Sequence, residues 1–422
     1  MHHWVTFARK IKSEVFVSVA MQPKKLGHKN KTGIRLVPPW FIEGGLYAVI
    51  LYDYVLAPIF GLEVERLGII ILAGLASLCF LGFRERAGDF FRVLAFPVGL
   101  GISYILIQSM YHGESILVGY VKPFIPWIFT LIVVHALFFR RGFLHRYAIF
   151  ALILGVIVLP FVELRAHGDE LTRAALGAGM GPLSSTNSMA EWFGFCTVYF
   201  FVYGVAIQRQ KTRVGAWIIA TGCLLLVSLT VSRATLGATV IAILLGSRGF
   251  LKRGFLPVLL LVMLAGIAYG TGMFDRAIGL YMLRGVEETG RGFIWPKVID
   301  SIINSPFVGV GASNVAVFLP ESNMRMTPHN TFLFIGTAAG IIPVIFYAAY
   351  WIQAILAAIT QQAGRPDTAA FYLPLVAFAF VICMFSNLTF LGPWVVVATA
   401  AAVTSHLQNR PVPPRVVRPN KN

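Results

Sequence analysis

Twelve apolar runs dominate this chain, at about 44–62, 67–83, 92–110, 117–139, 147–163, 189–208, 214–231, 234–247, 254–272, 330–355, 369–386 and 393–406. Most approach the roughly 20 apolar residues that an α-helix needs to cross a hydrocarbon core of about 30 Å. In that core every backbone N–H and C=O must be satisfied within the protein, so only helices and closed barrels can span it. The runs are continuous and not alternating, which disfavours a barrel. Only 13% of the residues are charged, against 57% hydrophobic, about half the charged share of a soluble domain. The expected fold is an all-α polytopic integral membrane protein with about 12 transmembrane helices. The eighth and twelfth runs are short for a full crossing, so ten or eleven spans is the next reading.

The net charge of +17 comes from 35 basic and 18 acidic residues. In a soluble protein that balance suggests nucleic acid. Here the basic residues fall in alternate loops: Arg84, Arg86 and Arg92; Arg140, Arg141 and Arg146; Arg209, Lys211 and Arg213; Arg248, Lys252 and Arg253; Arg365. That is the positive-inside pattern, so no nucleic-acid partner is expected. It puts both termini in the cytoplasm and the two long loops, 164–188 and 273–329, outside. The domain plan is a basic cytoplasmic arm at 1–40, a membrane domain at 41–406 and a cytoplasmic tail at 407–422. A large external loop, 273–329, separates the ninth and tenth spans. The arm has no apolar core placed as a cleavable signal peptide requires. Cys79, Cys196, Cys223 and Cys383 all lie in apolar runs without CxxC or Cys/His spacing. They read as small buried hydrophobes, with no metal and no cofactor expected.

The polar residues that the bundle does not need gather on the outer side. Ser232-Arg233 sits between two apolar runs with almost no loop. The positive-inside rule would not place an arginine there for orientation; it either snorkels or binds an anion, and its planar fork suits a phosphate. The 273–329 loop carries Gly290-Arg291-Gly292-Phe293-Ile294-Trp295, then Pro306-Phe307-Val308-Gly309-Val310-Gly311, then Thr327-Pro328-His329-Asn330 at the edge of the next span. Between Phe293 and Asn304 apolar residues recur at helical spacing, and Pro306 stops the helix. Such a helix lies on the membrane surface or packs on the bundle; the periodicity allows both. Asn330 or Thr327 is placed to cap the following helix. A His at that N-terminus is favoured neutral by the helix dipole and can then accept a proton as a general base. Arg165, Arg173, Arg284 and the Ser184-Ser185-Thr186-Asn187 run are weaker substrate-binding candidates. Asp53 and Lys122 are placed to pair with each other or with backbone.

This ordered set resembles the O-antigen ligase and polymerase superfamily: Ser232-Arg233, Gly290-Arg291-x-x-x-Trp295, Pro306-x-x-Gly309-x-Gly311 and Pro328-His329-Asn330. Many spans with one large, late periplasmic loop are similar too. The motif block covers roughly residues 185–355. The resemblance implies a GT-C-like membrane glycosyltransferase that needs no metal and inverts the sugar. It implies a donor glycan on undecaprenyl diphosphate, Arg233 and Arg291 on the diphosphate, and His329 as the base or acceptor-orienting residue. Possible further substrate contacts are Arg165, Arg173, Arg284 and Asn330. The chain departs from the family at Ser185-Thr186-Asn187-Ser188, where an Asn-Pro-Asn-like element is common.

The implied localisation is the bacterial inner membrane, with the active site periplasmic. Three functions remain in play. One is a polymerase of exopolysaccharide or O-antigen repeat units, whose acceptor is another lipid-linked glycan. Another is a ligase whose acceptor is lipid A-core. The third is a transporter of lipid-linked oligosaccharide, since twelve spans with both ends inside is also a transporter plan.

Overall fold

The structure, a computed structural model, describes residues 38–60, 67–82, 87–113, 124–138, 142–167, 171–176, 185–207, 209–247, 291–319, 324–364, 372–386 and 392–408. The arm and tail ends of the chain, the expected ninth span at 254–272, Arg284 and Lys122 lie outside them.

The helices, in chain order, are α1 (Pro39–Phe60), α2 (Leu67–Gly82), α3 (Ala87–Leu106, continued by a wider π turn Ile107–Tyr111), α4 (Phe124–Phe138) and α5 (Phe143–Val158). After the hairpin β1 (Val162–His167) and β2 (Leu171–Leu176) come α6 (Thr186–Ala206), α7 (Gln210–Leu229) and α8 (Arg233–Ser247). Then follow α9 (Arg291–Asn304), the hairpin β3 (Val317–Leu319) and β4 (Met324–Met326), α10 (Thr331–Ala339), α11 (Ile341–Gly364), α12 (Tyr372–Phe385) and α13 (Pro393–Gln408). Six helices among the described residues are long and apolar enough to cross a membrane, and four shorter apolar ones accompany them. This is a polytopic membrane protein.

Two expectations need correction. The fold is not purely α: two short antiparallel hairpins stand in the two long loops. The alternation in Val162-Glu163-Leu164-Arg165-Ala166-His167 is the strand period that the first of them carries. The tenth apolar run is also not one helix. It breaks at Gly340, whose φ of +77° is a left-handed conformation that glycine adopts without a steric penalty.

The core is organised around α6, which is apolar on every face and buried almost throughout. It packs on α7 and α8, and α8 packs on α12. Trp192 of α6 stacks on Trp394 of α13 with ring centroids 4.6 Å apart. At Gly194 there is room for no side chain, because Phe378 and Thr235 close in. Arg146, counted above as a loop charge, instead makes a two-pronged ion pair with Glu43, at 2.6 and 2.9 Å, tying α5 to α1. Asp53 packs its carboxylate against Gly68 of α2.

The break at Gly340 is filled by the Pro306–Gly311 turn. A helix end leaves its last carbonyls without partners, and inside a bundle those must be satisfied. The N–H of Val310 bonds Thr337 O at 2.8 Å, and that of Gly311 bonds Ala338 O at 3.1 Å. The N–H of Ile341 returns a bond to Pro306 O at 2.7 Å. Gly309 and Gly311 are both left-handed, at φ +65° and +88°. The buried amide of Gln108, in the π turn of α3, clamps the splice. Its NH2 donates to Ala338 O at 2.6 Å and its carbonyl accepts from Ala312 N at 3.1 Å. The Pro306-x-x-Gly309-x-Gly311 spacing thus joins the segment after α9 to the ends of α3 and α11.

Candidate functional site

Two chain turns and the end of one helix build the site. The α7–α8 turn is the tighter. Val231 takes φ +54°, an outlier for a β-branched residue and a conformation that costs about 1–3 kcal/mol. Such strain persists only where the surroundings hold it. Here Thr230 bonds back to Val227 O at 2.6 Å, and the Ser232 hydroxyl sits 3.1 Å from both Asn187 Oδ1 and the Thr235 hydroxyl. The turn therefore fixes Arg233 as the first residue of α8, against the first turn of α6. The Ser185-Thr186-Asn187-Ser188 stretch stands beside this turn through that Asn187 contact.

The second turn carries His329, which is itself left-handed at φ +46°. The Trp295 indole N–H donates to Pro328 O at 2.9 Å and holds it. Trp295 lies four residues after Arg291 on α9, so both side chains share one face. That explains the Arg291-x-x-x-Trp295 spacing: the tryptophan grips the turn that carries the imidazole and sets the guanidinium beside it. Asn330 is extended and caps α10, its Oδ1 accepting from Leu333 N at 3.1 Å. Of the two expected caps, Asn330 and not Thr327 does the work, and this gives Asn330 a structural task.

The third element is the end of α12. The Arg291 guanidinium carbon lies 5.0 Å from the centroid of the Phe385 ring, a cation–π contact. The next residue, Ser386, accepts a 2.7 Å hydrogen bond from the Thr331 hydroxyl. Arg291 and the start of α10 thus rest on one floor.

The charge of Arg233 acts on Arg291, and that of Arg291 acts on His329. Burial and then the positive charge of Arg233 hold the Arg291 guanidinium below its ordinary value. Burial and then Arg291 hold the His329 imidazole below the usual histidine range. Neutral histidine was expected from the helix dipole; the direction agrees, but the cause is desolvation and a neighbouring cation. The charge of Arg233 disfavours the half-buried Arg291 cation, an anion bound there would relieve that cost, and a neutral imidazole beside Arg291 is ready to take a proton. Chemically, the arrangement suits a dianionic group next to a hydroxyl.

Other expected residues fall elsewhere. Arg165 and Arg173 face each other across the β1–β2 register; their side chains, and Arg284 altogether, lie outside the described structure. Among the described residues no three His, Cys, Asp or Glu side chains group as metal ligands.

Sequence reasoning passed over Glu191, although an acid inside an apolar run is a signal in itself. It lies one turn after Asn187 on α6, buried, with Ser386 and Gly392 within hydrogen-bonding reach and its Oε2 unpartnered among the described residues. Phe385 and Gln108 were also missed, and neither carries a pattern that would single it out.

A family model described as O-antigen ligase matches residues 183–348. The matched segment runs from the start of α6 into α11 and contains Asn187, Ser232, Arg233, Arg291, the Pro306–Gly311 splice and His329. No curated protein matches the chain.

Proposed function

On the premise that this chain is a member of the O-antigen ligase-like family, glycosyltransferase-like membrane enzymes of O-antigen and polysaccharide synthesis, we propose that it moves a glycan from undecaprenyl diphosphate to an acceptor sugar hydroxyl. In this reading it sits in the bacterial inner membrane with its termini cytoplasmic and the site on the periplasmic side. Arg233 and Arg291 hold the diphosphate. His329 takes the proton of the acceptor hydroxyl as its oxygen attacks the anomeric carbon. The bond from that carbon to the diphosphate breaks, and its electron pair leaves with the phosphate oxygen, where the two guanidiniums stabilise it. One preorganised electrostatic contact of this kind is worth about 3–4 kcal/mol of barrier; a positioned base adds about 100- to 10,000-fold. No metal is needed in this scheme.

The observation that supports the reading is that Trp295, one turn after Arg291, bonds the Pro328 carbonyl beside His329, while Arg233 acts on Arg291 and Arg291 on His329. The preferred acceptor is a second lipid-linked repeat unit, which makes the enzyme a polymerase. The family description favours a second reading, a ligase that hands the glycan to lipid A-core. Purified protein given lipid-linked repeat units alone separates them. Chain growth supports the polymerase; growth only on addition of lipid A-core supports the ligase. Flux of lipid-linked glycan across vesicles with no bond formed would return the transporter reading.

A further inference from the structure

The external helix α9 has three sides, and only two have an evident neighbour. Ile294 and Val298 are buried against the bundle, where α9 packs on α10. At 100° per residue, Lys297, Asp300, Ser301 and Asn304 form a neighbouring polar stripe. Lys297 sets its ammonium 3.8 Å from the centroid of the Phe293 ring. The third stripe holds Ile299 and Ile303. Ile303 is 68% exposed, and Phe307, just past the helix end, is 66% exposed. A helix in water has no reason to show apolar residues on its outer flank, and contiguous exposed apolar surface marks an interaction site.

Continuity decides what covers this flank. The turn that follows α9 is bonded to the ends of two membrane-crossing helices. His112, at the end of α3, donates from Nε2 to Val308 O at 2.8 Å. Ile341, at the start of α11, donates to Pro306 O at 2.7 Å. Those helix ends are themselves apolar and open: Met110 is 81% exposed, Tyr111 66% and Ile345 59%. Both belong to helices long and apolar enough to span, so their outward faces meet lipid. Ile303 precedes, and Phe307 lies within, the segment that is bonded to both helix ends, and Tyr111 brings the polar tip that aromatic residues carry at membrane boundaries.

We propose that α9 is an interfacial helix whose Ile299–Phe307 flank is seated in the lipid chains of the leaflet bordering the site. Its polar stripe faces water and its Ile294–Val298 face grips the bundle. One consequence is a fixed depth for the site. Arg291 is the first residue of the same helix, about 20 Å along it from its lipid-seated end at 1.5 Å per residue. The helix therefore holds Arg291 at a set place relative to the bilayer, where a lipid-borne head group is presented. The inference rests on the membrane fold alone, so it stands or falls separately from the glycosyl-transfer reading.

The test uses the full-length protein reconstituted in phosphatidylcholine–phosphatidylglycerol vesicles. Single cysteines at Ile303, Phe307, Lys297 and Asn304, in a background with the four buried native cysteines replaced, carry nitroxide labels. At positions 303 and 307 collisions with oxygen should exceed those with a water-soluble nickel chelate severalfold; at 297 and 304 the order should reverse. As a second probe, a Phe307→Trp variant should be quenched by brominated lipid and not by iodide, above the Trp background of the parent protein. Nickel access at 303 and 307 equal to that at 304 would overturn the proposal, since the flank would then face water. Protection from both reagents would overturn it too, since protein would then cover the flank.

Discussion

Replacing Gly309 by alanine attacks the splice between the Pro306–Gly311 turn and the broken tenth run. At φ +65° an L-residue pays about 1–2 kcal/mol. The new Cβ would press on the Thr337 carbonyl oxygen and come within 2.6 Å of the backbone of Ala338 and Ala339. Those atoms are helix backbone and cannot swing aside as a side-chain tip would. Relief requires the turn to lift, which forfeits the bonds from Val310 to Thr337 and from Gly311 to Ala338, at about 1 kcal/mol each. The sum is about 3–4 kcal/mol. At about 2–4 °C per kcal/mol for a large domain, the unfolding midpoint of the detergent-solubilised protein should fall by roughly 5–15 °C. Glycan transfer should fall with it, because α9 and Arg291 hang from this turn. Gly237→Ala is the control: nothing lies within 4 Å of its added Cβ, and an α8 interior gains about 1 kcal/mol from the change. If Gly309→Ala melts at the same temperature as Gly237→Ala, the splice is not what holds the loop.

Three other outcomes are expected. Trp295→Phe removes the bond to Pro328 O, worth about 1 kcal/mol; kcat should drop about fivefold with expression little changed, as steady-state kinetics will show. His329 is a base only when neutral, so activity should be full above its lowered pKa and lost as pH falls through it, giving a kcat/KM acid limb below the usual value of about 6.5. Arg291→Gln removes one cause of that lowering, so the limb should move to higher pH even though the rate falls. EDTA should leave transfer unchanged; strong inhibition, restored by a divalent ion, would reveal a metal requirement.

The residues of the candidate site stand out in the sequence because they answer to chemistry and not to packing. An arginine at a nearly absent loop, an arginine one helical turn before a tryptophan, and a histidine at a helix start each stand out against an apolar background. The splice was less legible. The run 330–355 is continuously apolar, and one glycine in it is ordinary; only the turn that bonds into the gap makes Gly340 a break. Pro306-x-x-Gly309-x-Gly311 announced a turn but not its partner, since hydrogen bonding over long separations leaves no local trace. The β1–β2 hairpin was readable from its alternation, yet the polarity of the loop drew the eye to its charges. Glu191 was readable as well, as an acid in an apolar run, while Phe385 looked like any core aromatic. Its role beneath Arg291 exists only in the packed bundle.

The most direct test follows synthetic undecaprenyl-diphosphate-linked glycan through purified protein, measuring donor binding and transfer separately. His329→Ala should bind donor as the parent does and transfer it at least about 100-fold more slowly. Arg233→Ala and Arg291→Ala should weaken donor binding, and Arg291→Lys should fail to restore it, because a point charge cannot replace a two-pronged fork. Transfer at the parent rate by His329→Ala, or undiminished donor binding by both arginine variants, would contradict the assignment of these three side chains to one diphosphate-binding, proton-accepting centre.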